Sequence, residues 1–291
     1  MILVVGATGQ LGGLIARRLL DQKEPVRILV RPASDYGHLV AAGAQPVIGD
    51  LKDPDSLTGA CRGVDAIVTT ANATALAEPD TVETVDLVGN ANLVDAAAGE
   101  GVRHFVFVSS LGADPDSPMP LLRAKGKTER RLRDSDMSWT ILQPNLYLDK
   151  LPMAVVGGPA LAGQPVTLVG EGRRRHSMVA MGDVAAYAIA VLQQRQAEGQ
   201  TLVIGGPHPV SWRDVVDAFG RELGQDIPVH TVALGQQVPG MPDFVSGLLA
   251  ALDTYDSPID SSALAAAYGI TPTALADFVH RVATEHRSLT T

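Results

Sequence analysis

Residues 1–20 have the sequence MILVVGATGQLGGLIARRLL, and this stretch decides the predicted fold. Ile2 to Val5 is a short apolar run rich in β-branched residues, which is typical of a strand buried on both faces. Three glycines follow with the spacing G-x-x-G-x-x-G, and the apolar residues after them recur at helical intervals. The stretch therefore predicts a strand, a glycine-rich turn and a helix.

The glycine-rich turn is typical of a dinucleotide-binding site. Because glycine lacks a Cβ atom, the backbone at Gly6, Gly9 and Gly12 can turn sharply and approach a phosphate closely. The helix that follows offers unpaired N–H groups and the positive end of its dipole to an anion. The strand before the turn and the helix after it supply the context that such a site requires. Thr8 fits a phosphate contact or a bond within the turn, and the sequence does not separate the two.

Composition places the chain among soluble globular proteins. It has 291 residues, of which 46% are hydrophobic and 19% charged, and its formal net charge is −9. An acidic chain does not match a general nucleic-acid binder, which would present a basic face. No apolar run reaches the length of a membrane span. We therefore expect a small-molecule substrate, and neither nucleic acid nor a membrane as a partner.

The chain has a single cysteine, Cys61, which excludes an intrachain disulfide and fits a reducing cytosol. Its predicted place at a helix end favours a buried, unreactive thiol. No histidine or cysteine accompanies it at metal-ligand spacing, so no metal site is predicted. Because the first strand begins at residue 2, we expect neither a signal nor a transit peptide and predict a cytoplasmic protein.

Strands alternate with helical patterns through the first half of the chain. The predicted strands are residues 2–5, 26–30, 46–48, 64–70, 102–108 and 139–142. This alternation predicts an α/β fold with a parallel, right-handed, doubly wound sheet of the Rossmann type.

The second half of the chain is less regular. We predict a helix over residues 148–162 that is interrupted around Gly157 and Gly158. A second helix is expected to run to Gln194 with Asp183 as its N-cap. Ser211 is expected to cap a third helix.

The end of the second strand bears on the choice of cofactor. In folds that bind NAD, an acidic residue near this position bonds the adenosine ribose hydroxyls. Here Val30 and Arg31 occupy the position, and an arginine pairs with a 2′-phosphate that an acid would repel. We therefore predict NADP(H) in preference to NAD(H). The alternative is that Arg31 is an ordinary surface residue and Asp35 turns back to the ribose.

Other strand ends supply further candidates, because ligands of open α/β sheets bind at the carboxyl ends of the strands. Asp50 and Leu51 fit a frame for the adenine, although Asp50 fits a cap of local backbone donors equally well. Small or polar residues that end the fourth and sixth strands are also assigned to the cofactor: Thr70, Ala71, Asn72, Pro144 and Asn145. Ser109 and Ser110 end the fifth strand, where a nicotinamide would lie, and Ser109 is a candidate to bond a substrate oxygen.

Six motifs occur along the chain in the order GATGQLGG, LVRP, GDLKD, FVFVSS, AKGKTE and WTILQPN. With them the chain resembles the NmrA-like atypical short-chain dehydrogenase/reductases. These include NAD(P)H-dependent quinone, azo-dye and triphenylmethane-dye reductases, with isoflavone reductases as relatives. The resemblance covers the N-terminal half firmly and extends more loosely through RRRHSMVAMGDVA.

The resemblance implies a Rossmann domain over residues 1–150, onto which residues of about 180–205 pack back. It implies a smaller α/β substrate-binding region over residues 151–291, in a monomer or homodimer. It also assigns to the phosphates and ribose of NADP(H) the residues Gly6, Thr8, Gly9, Gln10, Leu11, Gly12, Arg31 and Lys125.

The catalytic machinery departs from that of ordinary short-chain dehydrogenases. In those enzymes a tyrosine four residues before a lysine donates the proton to the carbonyl oxygen. Lys125 matches a lysine that some relatives use near the nicotinamide, but Leu121 occupies the tyrosine position. Three alternatives remain: Lys125 orients the ribose or acts as an acid, Tyr147 reaches the substrate from another direction, or the acceptor takes hydride without an acid. A solvated helix face with a Lys125–Glu129 pair explains the lysine almost as well.

We therefore predict an NADPH-dependent reductase that transfers hydride to a small conjugated or aromatic acceptor such as a quinone. The alternative is a non-catalytic sensor of the NADP(H) redox state of the NmrA type. An isomerase or epimerase fits less well, because the missing tyrosine serves there as a base. Of the histidines, His104 is predicted to be structural and His176 to lie at the surface, with a place in the lining of the substrate entrance as the alternative.

Overall fold

The structure, a computed structural model, describes residues 1–73 and 78–290. Its strands are β1 (Ile2–Val5), β2 (Val26–Val30), β3 (Gln45–Ile48), β4 (Ala66–Thr69), β5 (His104–Val108), β6 (Ser138–Pro144), β7 (Val166–Val169), β8 (Gln200–Ile204) and β9 (Val229–Val232). Its helices are α1 (Gln10–Asp21), α2 (Gly37–Ala41), α3 (Pro54–Cys61), α4 (Asn90–Gly99), α5 (Pro120–Arg133), α6 (Gly158–Leu161), α7 (Met181–Gln193), α8 (Trp212–Leu223), α9 (Asp243–Leu252), α10 (Ser262–Tyr268) and α11 (Leu275–Thr290). Two π-helical segments, Val82–Gly89 and Met153–Gly157, precede α4 and α6 directly, and Arg195–Ala197 is a short 3₁₀ helix.

A seven-stranded sheet contains the six strands of the first half of the chain and β8 from the second half, with the order β3-β2-β1-β4-β5-β6-β8. The neighbours from β3 to β6 are parallel, and Val4 of β1 lies opposite Ile28 on one side and Val68 on the other. The chain runs outward from β1 to β3 and then returns to β4 on the other side of β1. This reversal creates a crevice at the carboxyl ends of β1 and β4, where open α/β sheets bind ligands. The predicted Rossmann-type fold is confirmed.

The apolar strand residues are buried because helices cover the sheet. The residues of β4 and β5 are almost fully buried, including Ile67 and Phe105 at 0% exposure. Cys61 at the end of α3 is also fully buried, and burial raises the pKa of its thiol to about 12. The prediction of an unreactive, buried cysteine is therefore confirmed. Among the described residues, no helix combines the length and the hydropathy that a membrane span requires.

The described chain forms two compact units. The first comprises residues 1–144 and 184–203, and the second comprises residues 145–183 and those from 204 onward. In the second unit β7 and β9 form a separate parallel pair. The functional division at residue 150, into a cofactor-binding and a substrate-binding region, stays a prediction.

Two predictions about the second unit are wrong. The helix predicted over residues 148–162 has no break at the glycines: the π-helical segment Met153–Gly157 continues directly into α6, and Gly157 (φ −61°, ψ −49°) and Gly158 (φ −59°, ψ −55°) keep helical backbone angles. Gly157 serves packing instead, since a Cβ atom there would lie 2.9 Å from the Phe219 ring. Asp183 is not an N-cap either. It lies in the first turn of α7 and accepts hydrogen bonds from Thr273, while the Met181 N–H donates to Asp149 Oδ2 at 2.6 Å.

The cap of α8 follows its prediction. Ser211 Oγ accepts from the Asp214 N–H at 3.1 Å, and Asp214 Oδ2 accepts from the Ser211 N–H at 2.8 Å. This reciprocal capping box is fully local, so a stretch of four residues suffices to specify it.

Candidate cofactor site

The glycine-rich turn between β1 and α1 has a shape that only glycine permits at two positions. Gly6 has a φ of +84°, and a Cβ atom there would lie 2.7 Å from Thr70 Oγ1. At Gly12 a Cβ atom would lie 2.1 Å from the Gly6 carbonyl oxygen. Gly6 is therefore needed for its backbone angle and Gly12 for the close passage of the helix over the turn.

The first turn of α1 is open to a ligand. Gly9 occupies the N-cap position, no described side chain caps the helix there, and its first turn holds no acidic residue. Thr8, Gly9 and Gln10 are exposed, and Leu11 is half-buried. A helix N-terminus without a side-chain cap presents N–H groups and a positive dipole end. This narrow turn, with no Cβ atom at Gly6, Gly9 or Gly12, fits the pyrophosphate of a dinucleotide.

The end of β4 lies against the turn. The Thr70 N–H donates to the Val5 carbonyl at 3.0 Å, and its side chain packs where Cβ atoms of Gly6 and Gly12 would be. Ala71 is half-buried and Asn72 is exposed beside it, with its Nδ2 donating to the Thr70 carbonyl at 3.2 Å. The structure thus brings the predicted residues of β4 together with the glycine turn, and their contacts with the cofactor stay a prediction.

A second group of predicted residues lies at the ends of β2 and β3. Arg31 forms an ion pair with Asp80, and Lys52 Nζ lies 2.5 Å from Asp80 Oδ1 and 2.9 Å from Asp50 Oδ2. We call Arg31, Asp50, Lys52 and Asp80 the outer cluster. Asp50 Oδ1 also accepts from the Lys52 N–H at 2.9 Å, so Asp50 caps local backbone. Leu51 beside it is buried at 7% exposure. Their adenine contacts stay predictions.

The sequence interpretation missed Lys52 and Asp80. Lys52 stands in the GDLKD motif at a strand end, which was a usable signal. Asp80 had no local signal, because it is 28 residues from Lys52 and 49 from Arg31.

Lys125 is buried next to the carboxyl end of β5, with 6% of the residue exposed. Its Nζ donates to the Val108 carbonyl at 3.1 Å and lies 5.1 Å from the centre of the Phe107 ring. The interpretation of Lys125 as part of a solvated helix face is therefore wrong. The helix α5 turns a mixed polar and apolar face toward the sheet, and its buried residues are Ala124, Lys125, Gly126, Thr128, Glu129 and Leu132.

Two buried carboxylates, those of Asp86 and Glu129, interact electrostatically with this lysine. Asp86 is fully buried at 0% exposure; its Oδ2 accepts from the Ala73 N–H at 2.9 Å, and its Oδ1 has no hydrogen-bond partner among the described residues. Burial lowers the pKa of Lys125, and the charges of Asp86 and Glu129 oppose this shift. Burial also raises the pKa of Asp86, against the opposing charge of Lys125. We call Asp86, Ser109, Lys125 and Glu129 the inner cluster.

Ser109 and Glu129 form the other half of the inner cluster. Ser109 Oγ donates to Glu129 Oε1 at 2.5 Å, and Gln143 Nε2 donates to the same oxygen at 2.8 Å. Arg133 bonds the second oxygen, so the i,i+4 partner of Glu129 is Arg133 and not Lys125. The Ser109 proton is committed to Glu129, which leaves its hydroxyl as an acceptor. Its predicted bond to a substrate oxygen stays a prediction.

The segment after β6 is held by its own neighbours. The Pro144 carbonyl accepts from the Leu111 N–H at 3.0 Å. In the second unit Asn145 Nδ2 donates to the Ser257 carbonyl at 3.1 Å, and Asn145 Oδ1 accepts from the Leu146 N–H at 2.8 Å. Tyr147 is half-buried, and burial raises the pKa of its phenol, which keeps the proton in place at neutral pH. The cofactor role of Pro144 and Asn145 and the acid role of Tyr147 stay predictions.

The two histidines that the sequence singled out are both buried. His104 is 8% exposed and bonds Thr140 Oγ1 at 2.9 Å, which confirms its structural role. His176 is 0% exposed, so its predicted surface position is wrong. Its Nδ1 lies 2.7 Å from Ser257 Oγ and its Nε2 lies 3.1 Å from the Leu252 carbonyl oxygen, which ties three segments of the second unit together.

A large open groove in the first unit lies away from the glycine turn. Its volume is about 1150 Å³, and its lining includes His104 and Ser138, the first residues of β5 and β6. These residues mark the amino-terminal edge of the sheet, whereas the glycine turn follows the carboxyl end of β1. The groove is therefore not the candidate cofactor site.

A family of proteins described as NAD(P)H-binding matches residues 6–195 of the chain. That span includes the glycine turn, both clusters and the end of β6. The chain belongs to this NAD(P)H-binding family. The predicted NmrA-like NAD(P)H-binding protein is thereby confirmed.

Relatives of this NAD(P)H-binding protein carry different functions. It is 34% identical over 241 residues to the NAD(P)H azoreductase of Xenophilus azovorans, covering 83% of this chain and 80% of that protein. It is 31% identical over 233 residues to the photosystem II assembly factor Ycf39 of Cyanophora paradoxa, covering 80% of this chain and 72% of that one.

Solved structures share its fold. The NADPH-dependent quinone oxidoreductase of Escherichia coli, in complex with NADPH, has a TM-score of 0.81 at 23% identity, covering 97% of this chain and 99% of that one. The triphenylmethane reductase of Citrobacter sp., in complex with NADP(H), has a TM-score of 0.80 at 24% identity, covering 97% of this chain and 100% of that one. At these identities the likeness establishes the fold.

Proposed function

We propose that this NAD(P)H-binding protein is an NADPH-dependent reductase that transfers hydride to a small conjugated or aromatic acceptor. The observation that carries the proposal is the open turn at Gly6 and Gly12. The turn has room for a dinucleotide pyrophosphate, and its backbone tolerates no side chain at these two positions. The nicotinamide supplies the hydride when it is bound. The relationship to an NAD(P)H azoreductase supports the reductive direction.

The class of acceptor follows from the missing acid. Leu121 occupies the place where a tyrosine would protonate a carbonyl oxygen. A quinone or a conjugated dye accepts hydride into an extended π system and can take its proton from water. Such acceptors fit a site that has no tyrosine four residues before its lysine.

Lys125 is proposed to orient the cofactor ribose at the end of β5. Its Nζ is fixed on the Val108 carbonyl, and the desolvated ammonium retains donors for a hydroxyl. Because burial lowers the pKa of Lys125, the lysine can also release a proton more readily than an exposed lysine. The acceptor-binding role of residues 151–291 belongs to the same proposal.

The proposal is tested with purified protein, NADPH and a panel of quinones, azo dyes, triphenylmethane dyes and enones. We expect loss of the reduced-nicotinamide absorbance with at least one acceptor class. Gly12→Ala should abolish this activity, because a Cβ atom would lie 2.1 Å from the Gly6 carbonyl oxygen. Gly59→Ala, in helix α3, is the matched control, since no atom would lie within 4 Å of its Cβ. Absence of turnover with every acceptor class would contradict the proposal.

A second candidate is a non-catalytic sensor of the NADP(H) redox state. It is favoured by the missing tyrosine and by relatives that are named as photosystem II assembly factors. A sensor should bind NADPH and NADP⁺ with clearly different affinities and should capture a protein partner in one redox state only. Equal affinities together with turnover of an acceptor would exclude it.

A further inference from the structure

The outer cluster holds two cations on a single carboxylate. Arg31 Nη1 bonds Asp80 Oδ2, and Lys52 Nζ lies 2.5 Å from Asp80 Oδ1. Each oxygen of Asp80 therefore takes one cation. Two cations on neighbouring oxygens of one anion are also the arrangement that binds a phosphate monoester well.

The two cations are accessible from solvent at the carboxyl edge of the sheet. Arg31 directly follows β2 and Lys52 follows β3, and these strands are neighbours. Their side chains are 44% and 29% exposed, whereas that of Asp80 is 11% exposed. A ligand that approaches this edge would therefore meet the cations with Asp80 already bound to them.

The outer cluster has no net charge. Arg31 and Lys52 contribute two positive charges, and Asp50 and Asp80 contribute two negative ones. Burial alone would lower the pKa of Lys52, but its hydrogen bonds to Asp80 and Asp50 outweigh burial and raise it, so the lysine is charged. A phosphate monoester with a charge of about −1.5 to −2 gains little from a neutral cluster. Without Asp80 the same side chains would carry one net positive charge.

We propose that the Asp80 carboxylate holds the place of the cofactor 2′-phosphate on Arg31 and Lys52 and competes with that phosphate for both cations. The inference rests on the proposed NADPH-dependent function. It makes Lys52 the second cation of the 2′-phosphate site, beside Arg31. It also makes Asp80 the residue that limits the preference for NADPH over NADH.

The competition follows from mass action. NADPH binds well only to the fraction of molecules in which Asp80 has released the cations, so its apparent dissociation constant rises as that fraction falls. NADH carries a hydroxyl in place of the phosphate and gains little from the released cations. Asp80 therefore lowers the affinity for NADPH selectively.

Asp80→Asn tests the competition, because it removes the charge and keeps the shape of the side chain. By calorimetric titration we expect the dissociation constant of NADPH to fall about tenfold, as for a released charge-assisted hydrogen bond, and that of NADH to change less than about twofold. Asp55→Asn is the matched control, since Asp55 is exposed in the first turn of α3 and makes no described ion pair. It should leave the ratio of the two dissociation constants unchanged.

Lys52→Met supplies a second variant with the opposite effect. It should weaken NADPH about tenfold and leave NADH unchanged, because one of the two cations is lost. An unchanged or lower preference for NADPH in Asp80→Asn would overturn the inference. Equal tightening of NADPH and NADH would overturn it as well, since Asp80 would then merely cover the adenosine site.

A nucleotide pair without a nicotinamide separates this inference from the proposed reductase. Adenosine 2′,5′-bisphosphate carries the 2′-phosphate and adenosine 5′-monophosphate does not. If Asp80→Asn tightens only the bisphosphate while no acceptor is reduced, the inference stands and the reductase proposal fails. If acceptors are reduced but the ratio of the two nucleotide affinities is the same in both proteins, the inference alone fails.

Discussion

The outer and inner clusters both combine cationic side chains with carboxylates near the carboxyl edge of one sheet. In the outer cluster every charged group is bonded to an opposite charge, and Arg31 keeps 44% of its side chain exposed. In the inner cluster Lys125 is 6% exposed, its Nζ bonds a backbone carbonyl, and Asp86 Oδ1 has no partner among the described residues.

Burial explains why similar groups behave differently in the two places. Hydrogen bonding from Lys52 lowers the pKa of Asp80, whereas burial raises the pKa of Asp86. Exposed charges exchange partners at little cost, because water replaces each lost bond. Buried charges have no water to replace a lost partner, so the removal of one charge lowers the stability of the folded protein strongly. We therefore expect the outer cluster to control ligand choice and the inner cluster to control stability and chemistry.

Lys125→Met should give the largest effect, because it leaves the Asp86 charge buried without compensation. We expect the free energy of unfolding at pH 7 to fall by about 3 kcal/mol. Adding Asp86→Asn should recover most of the loss. Lys127→Met, at a half-buried position on the same helix, should cost less than about 0.5 kcal/mol. Chemical denaturation measures all four proteins, and equal costs for the two lysines would refute the distinction between the clusters.

Arg31→Asp should give the next largest effect, and on cofactor choice. Loss of the guanidinium and gain of a repelling carboxylate should weaken NADPH about 10- to 100-fold and spare NADH. Arg17→Asp makes the same charge change at an exposed position on α1 and should leave the NADPH to NADH ratio unaltered. Titration with both cofactors decides the matter, and an unmoved ratio in Arg31→Asp would exclude Arg31 from the 2′-phosphate site.

The two aspartates should give pH dependences of opposite sign. Because the pKa of Asp86 is raised above its ordinary value of 3.8, its contribution to stability is present below that value and is lost as pH rises through the raised pKa. The pKa of Asp80 is lowered, so its contribution is present above 3.8 and is lost as pH falls through the lowered pKa.

The free energy of unfolding is measured by denaturation between pH 3 and 7 for the unchanged protein and for the variants Asp86→Asn and Asp80→Asn. The difference between the unchanged protein and each variant should show the sign expected for that aspartate. The Asp86 difference should be the larger of the two, because Asp86 is fully buried and burial is the main cause of its raised pKa. The Asp80 difference should be smaller, because solvent screens its partners. If the two differences in the free energy of unfolding changed with pH in the same direction, burial would not be the cause of the different behaviour of the two clusters.

Salt should have the smallest effect and should act on the outer cluster alone. Lys52→Met is expected to lower the free energy of unfolding by less than about 1 kcal/mol, and 1 M salt should remove most of that difference. The cost of Lys125→Met should not depend on salt, because ions do not reach a side chain that is 6% exposed. A salt-dependent cost at Lys125 would mean that the inner cluster opens to solvent.

Much of the fold was predictable because its signals are local. The strand β1, the glycine turn and α1 lie within residues 1–21, and the capping box of Ser211 spans four residues. Helix α10 (Ser262–Tyr268) was not predicted, since it is short and carries no strong periodic pattern. The site was predictable in part: the glycine turn and Arg31 stand in motifs, whereas Asp80 and Asp86 stand in none.

Local sequence patterns gave the wrong prediction for the burial of two polar side chains. The helix α5 has the sequence PLLRAKGKTERRLR, with charges on every face, so periodicity does not reveal that Lys125 points to the sheet. His176 follows three arginines, which suggested a surface position, yet it is 0% exposed. In both places packing against distant segments overrides the polarity of the immediate neighbours.

The sequence by itself determined the alternation of strands and helices, the glycine-rich turn and the arginine after β2. These features depend on backbone preference and on side chains a few residues apart. Only the tertiary structure decided that Asp80 forms ion pairs with both Arg31 and Lys52, and that Lys125 and Asp86 are buried near each other. The reason is physical: the pKa and the partners of a charged group depend on what surrounds it in space, and those surroundings come from residues 17 to 49 positions away.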